Sequence, residues 1–167
     1  MKQILHAGCG GEPMPPWLDG AEVRLEIDAA VKPDIVASMT DMGAIGSYDA
    51  IYCSHALEHL YPHEIPLALG EFLRVLKPGG AAIIIVPDLE DAEPTDEVLY
   101  VSPGGPIAGF DLFYGHRASV AANAYMAHHT GFVASTLADA LANAGFQSVR
   151  ALRLSGWNLM AMGLKPA

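Results

Sequence analysis

Residues 3–10 read Gln3-Ile4-Leu5-His6-Ala7-Gly8-Cys9-Gly10, a short apolar run that stops at glycines. A run of this length suits a buried strand, and the glycines suit the tight turn that ends it. Working outward, strand-like and helix-like stretches alternate. Residues 23–27 alternate apolar and charged side chains and end at Asp28, residues 34–37 close near Asp41, and residues 48–53 form a fourth strand. Ala81-Ala82-Ile83-Ile84-Ile85-Val86 is apolar without a break, as expected of a strand buried on both faces of a parallel sheet. Residues 147–154 and 157–163 supply two more, giving seven. One helix is expected where Ile65, Ala68, Leu69, Phe72, Leu73 and Leu76 recur at helical steps, with Pro66 in its first turn and Lys77-Pro78-Gly79-Gly80 stopping it. A second covers residues 136–144, with Ser135 or Thr136 as N-cap and Gly145 as the stop. A third, over residues 118–127, rests on small helix-favouring residues. Residues 87–106 form a proline- and acid-rich loop, and the wider stretch 88–116, with Gly104, Gly105 and Gly109, is expected to move and to close over the site.

The pattern is that of an α/β fold: a Rossmann-like, seven-stranded, mostly parallel sheet with flanking helices and few helices in its N-terminal half. At 167 residues the chain is read as one domain, residues 1–167. No apolar run approaches the roughly 20 residues of a membrane-spanning helix, and no leader is visible after Lys2, so the expected setting is the cytoplasm. Cys9 and Cys53 sit in no zinc or disulfide spacing and are read as reduced. The net charge of −10 repels phosphate backbones, which argues against a nucleic-acid substrate. In a sheet of this kind ligands sit beyond the carboxyl ends of the strands. Gly8-Cys9-Gly10, Asp28, Asp41 and Cys53-Ser54-His55 all fall at that edge.

A set of longer stretches, in order, carries a family resemblance. They are Leu5-His6-Ala7-Gly8-Cys9-Gly10, Glu26-Ile27-Asp28, Ser38-Met39-Thr40-Asp41-Met42 and Tyr48-Asp49-Ala50-Ile51-Tyr52-Cys53-Ser54-His55-Ala56-Leu57-Glu58-His59-Leu60. Phe72-Leu73-Arg74-Val75-Leu76-Lys77-Pro78-Gly79-Gly80 and Ile83-Ile84-Ile85-Val86-Pro87 complete them. Together they resemble the class I S-adenosylmethionine-dependent methyltransferases, especially the type 11 branch. Tyr114-Gly115-His116-Arg117 and Met126-Ala127-His128-His129-Thr130-Gly131-Phe132 resemble the C-terminal half of bacterial members. The resemblance implies S-adenosylmethionine as cofactor, with Ala7, Gly8, Cys9 and Gly10 around its methionine part. It puts Asp28 and Ala29 at the ribose, Asp41 and Met42 at the adenine, and Ser54 and His55 at the methionine end. Each has a plainer reading too: a strand-to-loop turn for the glycines, a loop or helix cap for Asp28, Asp41, Ser54 and His55. The chain departs from the pattern at His6, where an acidic residue is usual, and at Glu12, where a third glycine is common.

Methyl transfer needs alignment, and a base only where the acceptor loses a proton. His116, His128 and His129 are the candidate bases, with Tyr114 beside them. The acceptor, a small molecule, glycan or protein, is not legible. A non-catalytic cofactor-binding or partner subunit of the same fold is the alternative. A nicotinamide-dependent oxidoreductase shares the acid about twenty residues beyond the first glycine, but Pro13 stands at its third glycine and Pro15-Pro16 follow. His55-Ala56-Leu57-Glu58-His59 matches the HxxEH of inverted zinc proteases. With no third ligand visible, no metal is assigned. The short connections in the first half leave one sheet face thinly covered, which points to a homo-oligomer, most simply a two-fold homodimer, or to a bound partner, unless residues 14–18 and the C-terminal helices wrap back over that face.

Overall fold

A computed structural model describes all of residues 1–167. The first strand, β1 (Gln3–Ala7), pairs in parallel with β2 (Ala21–Glu26) on one side and with β4 (Tyr48–Ser54) on the other, and β2 carries the two-residue β3 (Ile35–Val36) at the sheet edge. Helix α1 (Ile65–Val75) leads into β5 (Leu76–Pro87), parallel to β4. A separate hairpin, β6 (Val98–Ser102) with β7 (Gly105–Ala108), is followed by α2 (Gly109–Tyr114) and α3 (Arg117–Ala122). Then come α4 (Ala134–Ala144), β8 (Gln147–Leu154) and β9 (Asn158–Leu164). The sheet order is β3-β2-β1-β4-β5-β9-β8, seven strands, with β9 antiparallel to both neighbours. A dinucleotide-binding sheet runs 3-2-1-4-5-6 in parallel. The antiparallel β9, inserted between β5 and β8, sets this sheet apart.

Helix α1 buries Ile65, Ala68, Leu69, Phe72 and Val75, the stripe anticipated from its spacing. Helix α4 buries Leu137 and Leu141 and ends at Gly145, whose φ of 105° is the left-handed cap that glycine accepts readily. Both helices pack on the same face, over Leu5, Ile51, Cys53, Ile84, Val86 and Leu159. No helix lies between β1 and β2, and only a one-turn 3-10 segment, Ala29–Val31, lies between β2 and β3. The opposite face is covered near β1 by the 11–20 connection, whose Trp17 stands edge-on to Tyr52 at 6.1 Å. His6 is buried on that side, its Nδ1 2.6 Å from Glu22 Oε1.

Three local expectations change. The 118–127 helix breaks at Asn123, which is extended and accepts from Tyr125 N with its own side chain, starting a short 3-10 turn, Ala124–Met126. The Lys77-Pro78-Gly79-Gly80 stretch ends α1 but continues as strand: Gly79, at φ 74°, takes up a register shift while Gly79 N and Gly80 O pair with Lys165. The acid-rich stretch expected as loop holds the β6–β7 hairpin, and Asp111, at the start of α2, accepts from Ala108 N and from Arg117 N and Nε.

Candidate functional site

A cavity of about 790 Å³ opens at the carboxyl ends of β1, β2 and β4, where the topology directs ligands. At β1 the chain turns because Gly8 N and Cys9 N both donate to Leu25 O, at 2.9 and 3.2 Å. Gly8 has φ 66°, and a Cβ there would stand 2.3 Å from the Ala56 Cβ. Only glycine fits. Gly10, at φ 49°, has open space where a side chain would be, so ligand atoms can approach its backbone.

The loop is organised by a residue that sequence reading did not single out. Glu26, the last residue of β2, accepts from Gly10 N at 2.9 Å and from Ile27 N at 2.9 Å, with Asp28 N at 3.3 Å. Only its place at a strand end next to Asp28 hinted at this. Asp28 caps the Ala29–Val31 turn through Oδ1, 2.9 Å from Ala30 N, and lines the cavity. Its Oδ2 has no protein partner.

Of the residues assigned to the cofactor, Gly8, Cys9, Gly10, Asp28, Ser54 and His55 line the cavity. Ala7 lies in the core beneath the loop, and Ala29 is exposed on its short turn. Asp41 and Met42 are displaced from the wall: Asp41 is exposed and accepts from Gly43 N, while Met42 is buried and donates its N–H to Glu71. Ser38 and Met39, three residues earlier, line the cavity instead. Because β3 is only two residues long, the chain reaches the wall sooner than a four-residue strand would bring it. Burial pushes the Cys9 thiol up against the opposing pull of Arg24, so this lining group stays a neutral thiol.

The β4 end supplies the other half. His55 sits at φ 50°, a left-handed conformation that is costly for a residue with a side chain. Its Nε2 lies 2.9 Å from Asn158 Oδ1 and its Nδ1 3.4 Å from Glu58 Oε1. Burial alone would pull this imidazole down, but Glu58 and Asn158 outweigh it and hold His55 above its ordinary value. His59, Tyr61 and Glu64 continue the wall, and Tyr125, Met126 and His129 close it from the opposite side. Tyr61 and His129 stack at 4.1 Å with 16° between their planes.

The three base candidates therefore separate. His129 lines the cavity. His128 points away from it, toward Glu58, and His116 bonds Ser119 Oγ at 2.8 Å and lies against Gly105 of the hairpin. No residue of 88–116 lines the cavity; residues 123–126 and 129 do.

Comparison with known proteins gives the family. The family described as "Methyltransferase domain" matches residues 2–151. No curated protein matches the chain. Human N-acetylserotonin methyltransferase in complex with SAM is similar over 99% of this chain and 48% of its own, at 11% identity and a TM-score of 0.68. The Burkholderia thailandensis 1,6-didemethyltoxoflavin-N1-methyltransferase, solved with bound 1,6-didemethyltoxoflavin and S-adenosylhomocysteine, covers 99% of this chain and 72% of its own (13% identity, TM-score 0.63). A TehB-like SAM-dependent methyltransferase from Corynebacterium glutamicum covers 98% and 80% (15% identity, TM-score 0.62). The chain thus spans about half the length of the first of these. At such identities the likeness is one of fold.

Proposed function

The chain belongs to the methyltransferase-domain family, and from that premise we propose that it transfers a methyl group from S-adenosylmethionine to a small-molecule acceptor seated beside Tyr61 and His129. The cofactor's sulfonium supplies an already activated methyl carbon, and everything else is alignment. Gly8, Cys9 and Gly10 let backbone approach the methionine part. Asp28 accepts from the ribose hydroxyls through Oδ2, a strong charge-assisted contact. Ser38 and Met39 take the adenine end. His129, held by its stack on Tyr61, accepts the proton that a hydroxyl or amine acceptor releases. The stacked pair, with Tyr125 across the opening, favours a flat acceptor over a glycan or protein.

The observation that carries this reading is Gly8, a position where a Cβ would collide with Ala56 at the mouth of a cavity large enough for a nucleoside-sized ligand. Calorimetry tests it. S-adenosylhomocysteine binds in the low micromolar range or tighter, and Asp28→Ala weakens it by about 1–3 kcal/mol. Binding of NAD without binding of S-adenosylhomocysteine overturns the reading. Binding with no transfer across a broad acceptor panel favours the non-catalytic alternative. The proposal takes residues 1–167 as one domain in the reducing cytoplasm, where Cys9 and Cys53 stay free thiols. No helix is long and apolar enough to cross a membrane. It also takes the protein as a homodimer through its uncovered sheet face.

A further inference from the structure

Behind the cavity wall, three side chains bring lone pairs together with no donor among them. Glu58, in the 3-10 turn Leu57–His59 after β4, is 1% exposed, and neither carboxylate oxygen has a hydrogen-bond partner. Buried carboxylates are normally fully bonded, so this one calls for an explanation. His59 is its neighbour. His128 arrives from the 123–129 wall.

The tautomers follow from their partners. His59 Nδ1 lies 3.0 Å from Ala127 O, and His128 Nδ1 lies 2.9 Å from Leu112 O. A carbonyl only accepts, so each Nδ1 carries its proton and each neutral ring presents Nε2 as a lone pair. His128 Nε2 stands 4.0 Å from Glu58 Oε1, and one ligand atom from each of Glu58, His59 and His128 lies within 4.8 Å of the others. A carbonyl on the far ring nitrogen is also the usual outer partner of a metal-bound imidazole. His55 Nδ1 stands 3.4 Å from Glu58 Oε1 but is not aligned to bond it, so the carboxylate keeps no bonded partner. Something positive belongs between these atoms.

We propose that Glu58, His59 and His128 bind a divalent transition-metal ion of the zinc class. Two imidazoles and one carboxylate suit such an ion, and three protein ligands leave a position for water or an acceptor heteroatom. At metal–ligand distances of about 2.0–2.2 Å the ligand atoms close in by roughly half an ångström. The ion joins the end of β4 to the 123–129 wall, and His59 belongs to both the cluster and the cavity lining. Metal occupancy therefore tightens the binding of a ligand in the cavity, and the ligand tightens the metal. This coupling rests on the methyltransferase reading; the metal site does not.

The test uses untagged, chelator-stripped protein. Zinc titrated by calorimetry binds one ion per chain with a micromolar or tighter Kd, and cobalt(II) gives a visible d–d absorption band of the same stoichiometry. Glu58→Gln, which keeps the shape, and His128→Ala each weaken zinc at least 100-fold, while His63→Ala changes it less than twofold. No zinc binding by the wild-type chain overturns the proposal, as does binding that His128→Ala and Glu58→Gln leave within threefold. If Glu58→Gln fails to fold, His59→Gln replaces it. In the second arm, S-adenosylhomocysteine binds at least threefold tighter with zinc in the wild-type chain and equally with or without zinc in His128→Ala. Zinc binding that leaves this affinity unmoved overturns the clamp. No binding of S-adenosylhomocysteine at all overturns the methyltransferase reading, and the zinc arm then decides the metal site alone.

Discussion

Gly8 carries two constraints at once, a positive φ of 66° and a contact in which an added Cβ would meet Ala56 at 2.3 Å. Gly8→Ala therefore either shifts the loop or strains it. We expect a loss of about 1–3 kcal/mol of stability in urea titration, with S-adenosylhomocysteine binding lost as the loop moves. A variant as stable and as tight-binding as the parent shows that the loop yields easily. Asp111 gives a residue-scale test of pH. Burial alone would raise this carboxyl, but the N–H groups of Ala108 and Arg117 and the Arg117 guanidinium outweigh it and hold it below the usual carboxylate range. A group depressed in the folded state contributes stability above its unfolded value, and that contribution is lost as pH falls through the folded one. Urea midpoints should fall more steeply below about pH 4 for the parent than for Asp111→Asn. Parallel curves mean that Asp111 is not the group that titrates.

Among the elements, α4 shows how little area secures the C-terminal half. Only Leu137 and Leu141 are fully buried on it, so Leu137→Ala leaves a cavity against the sheet and costs about 2–5 kcal/mol by chemical denaturation. A loss under 1 kcal/mol means that α1 closes the gap. These helices, like β1 and its glycines, were legible because their signal is local: apolar spacing of three and four, a proline at the start, a glycine at the stop. β5 was legible in its apolar half alone, since its first residues are strand only because Lys165 pairs with Gly79 and Gly80 from 85 residues away. The site divides the same way. The glycine turn and Asp28 announce themselves in sequence, whereas Ser38 and Met39 depend on how short β3 turns out to be, and Glu58 with His128 on a meeting across 70 residues. From that lining we expect residues 123–129, rather than 88–116, to be the segment that closes. Amide exchange in 123–129 should be fast without ligand and slow with S-adenosylhomocysteine, while β6, β7 and α2 stay protected in both states. Slowing confined to 88–116 would restore the earlier assignment.

For the molecule as a whole, the unequal covering of its sheet is the dominant feature. Parallel strands are stable when both faces are covered, and here α1 and α4 both serve one face. On the other, Trp17 stands against Tyr52 and Tyr52 against His6, while large apolar side chains on the outer strands stay exposed. Ile83 and Ile85 pair with Met162 and Met160, and Met160 pairs with Leu152, so these side chains form one apolar stripe across β5, β9 and β8. Leu152 is 55% and Met162 39% exposed, with Leu154 and Leu164 also open. A stripe of this kind on a single copy is the surface that the proposed homodimer would bury. A two-fold axis sets the same stripe against itself and needs no second gene product. The net charge of −10 per chain opposes that approach, but the repulsion is long-ranged and is screened by salt. Dimerisation should therefore strengthen between low and moderate ionic strength, opposite to an interface held by ion pairs. Light scattering at micromolar concentration is expected to give the dimer mass, and Leu152→Asp with Met162→Asp the monomer mass. The monomer should keep its unfolding midpoint, because both substituted side chains already face water in the single chain. A parent that stays monomeric at every salt concentration, with the variant indistinguishable from it, would remove the second copy as the occupant of that face.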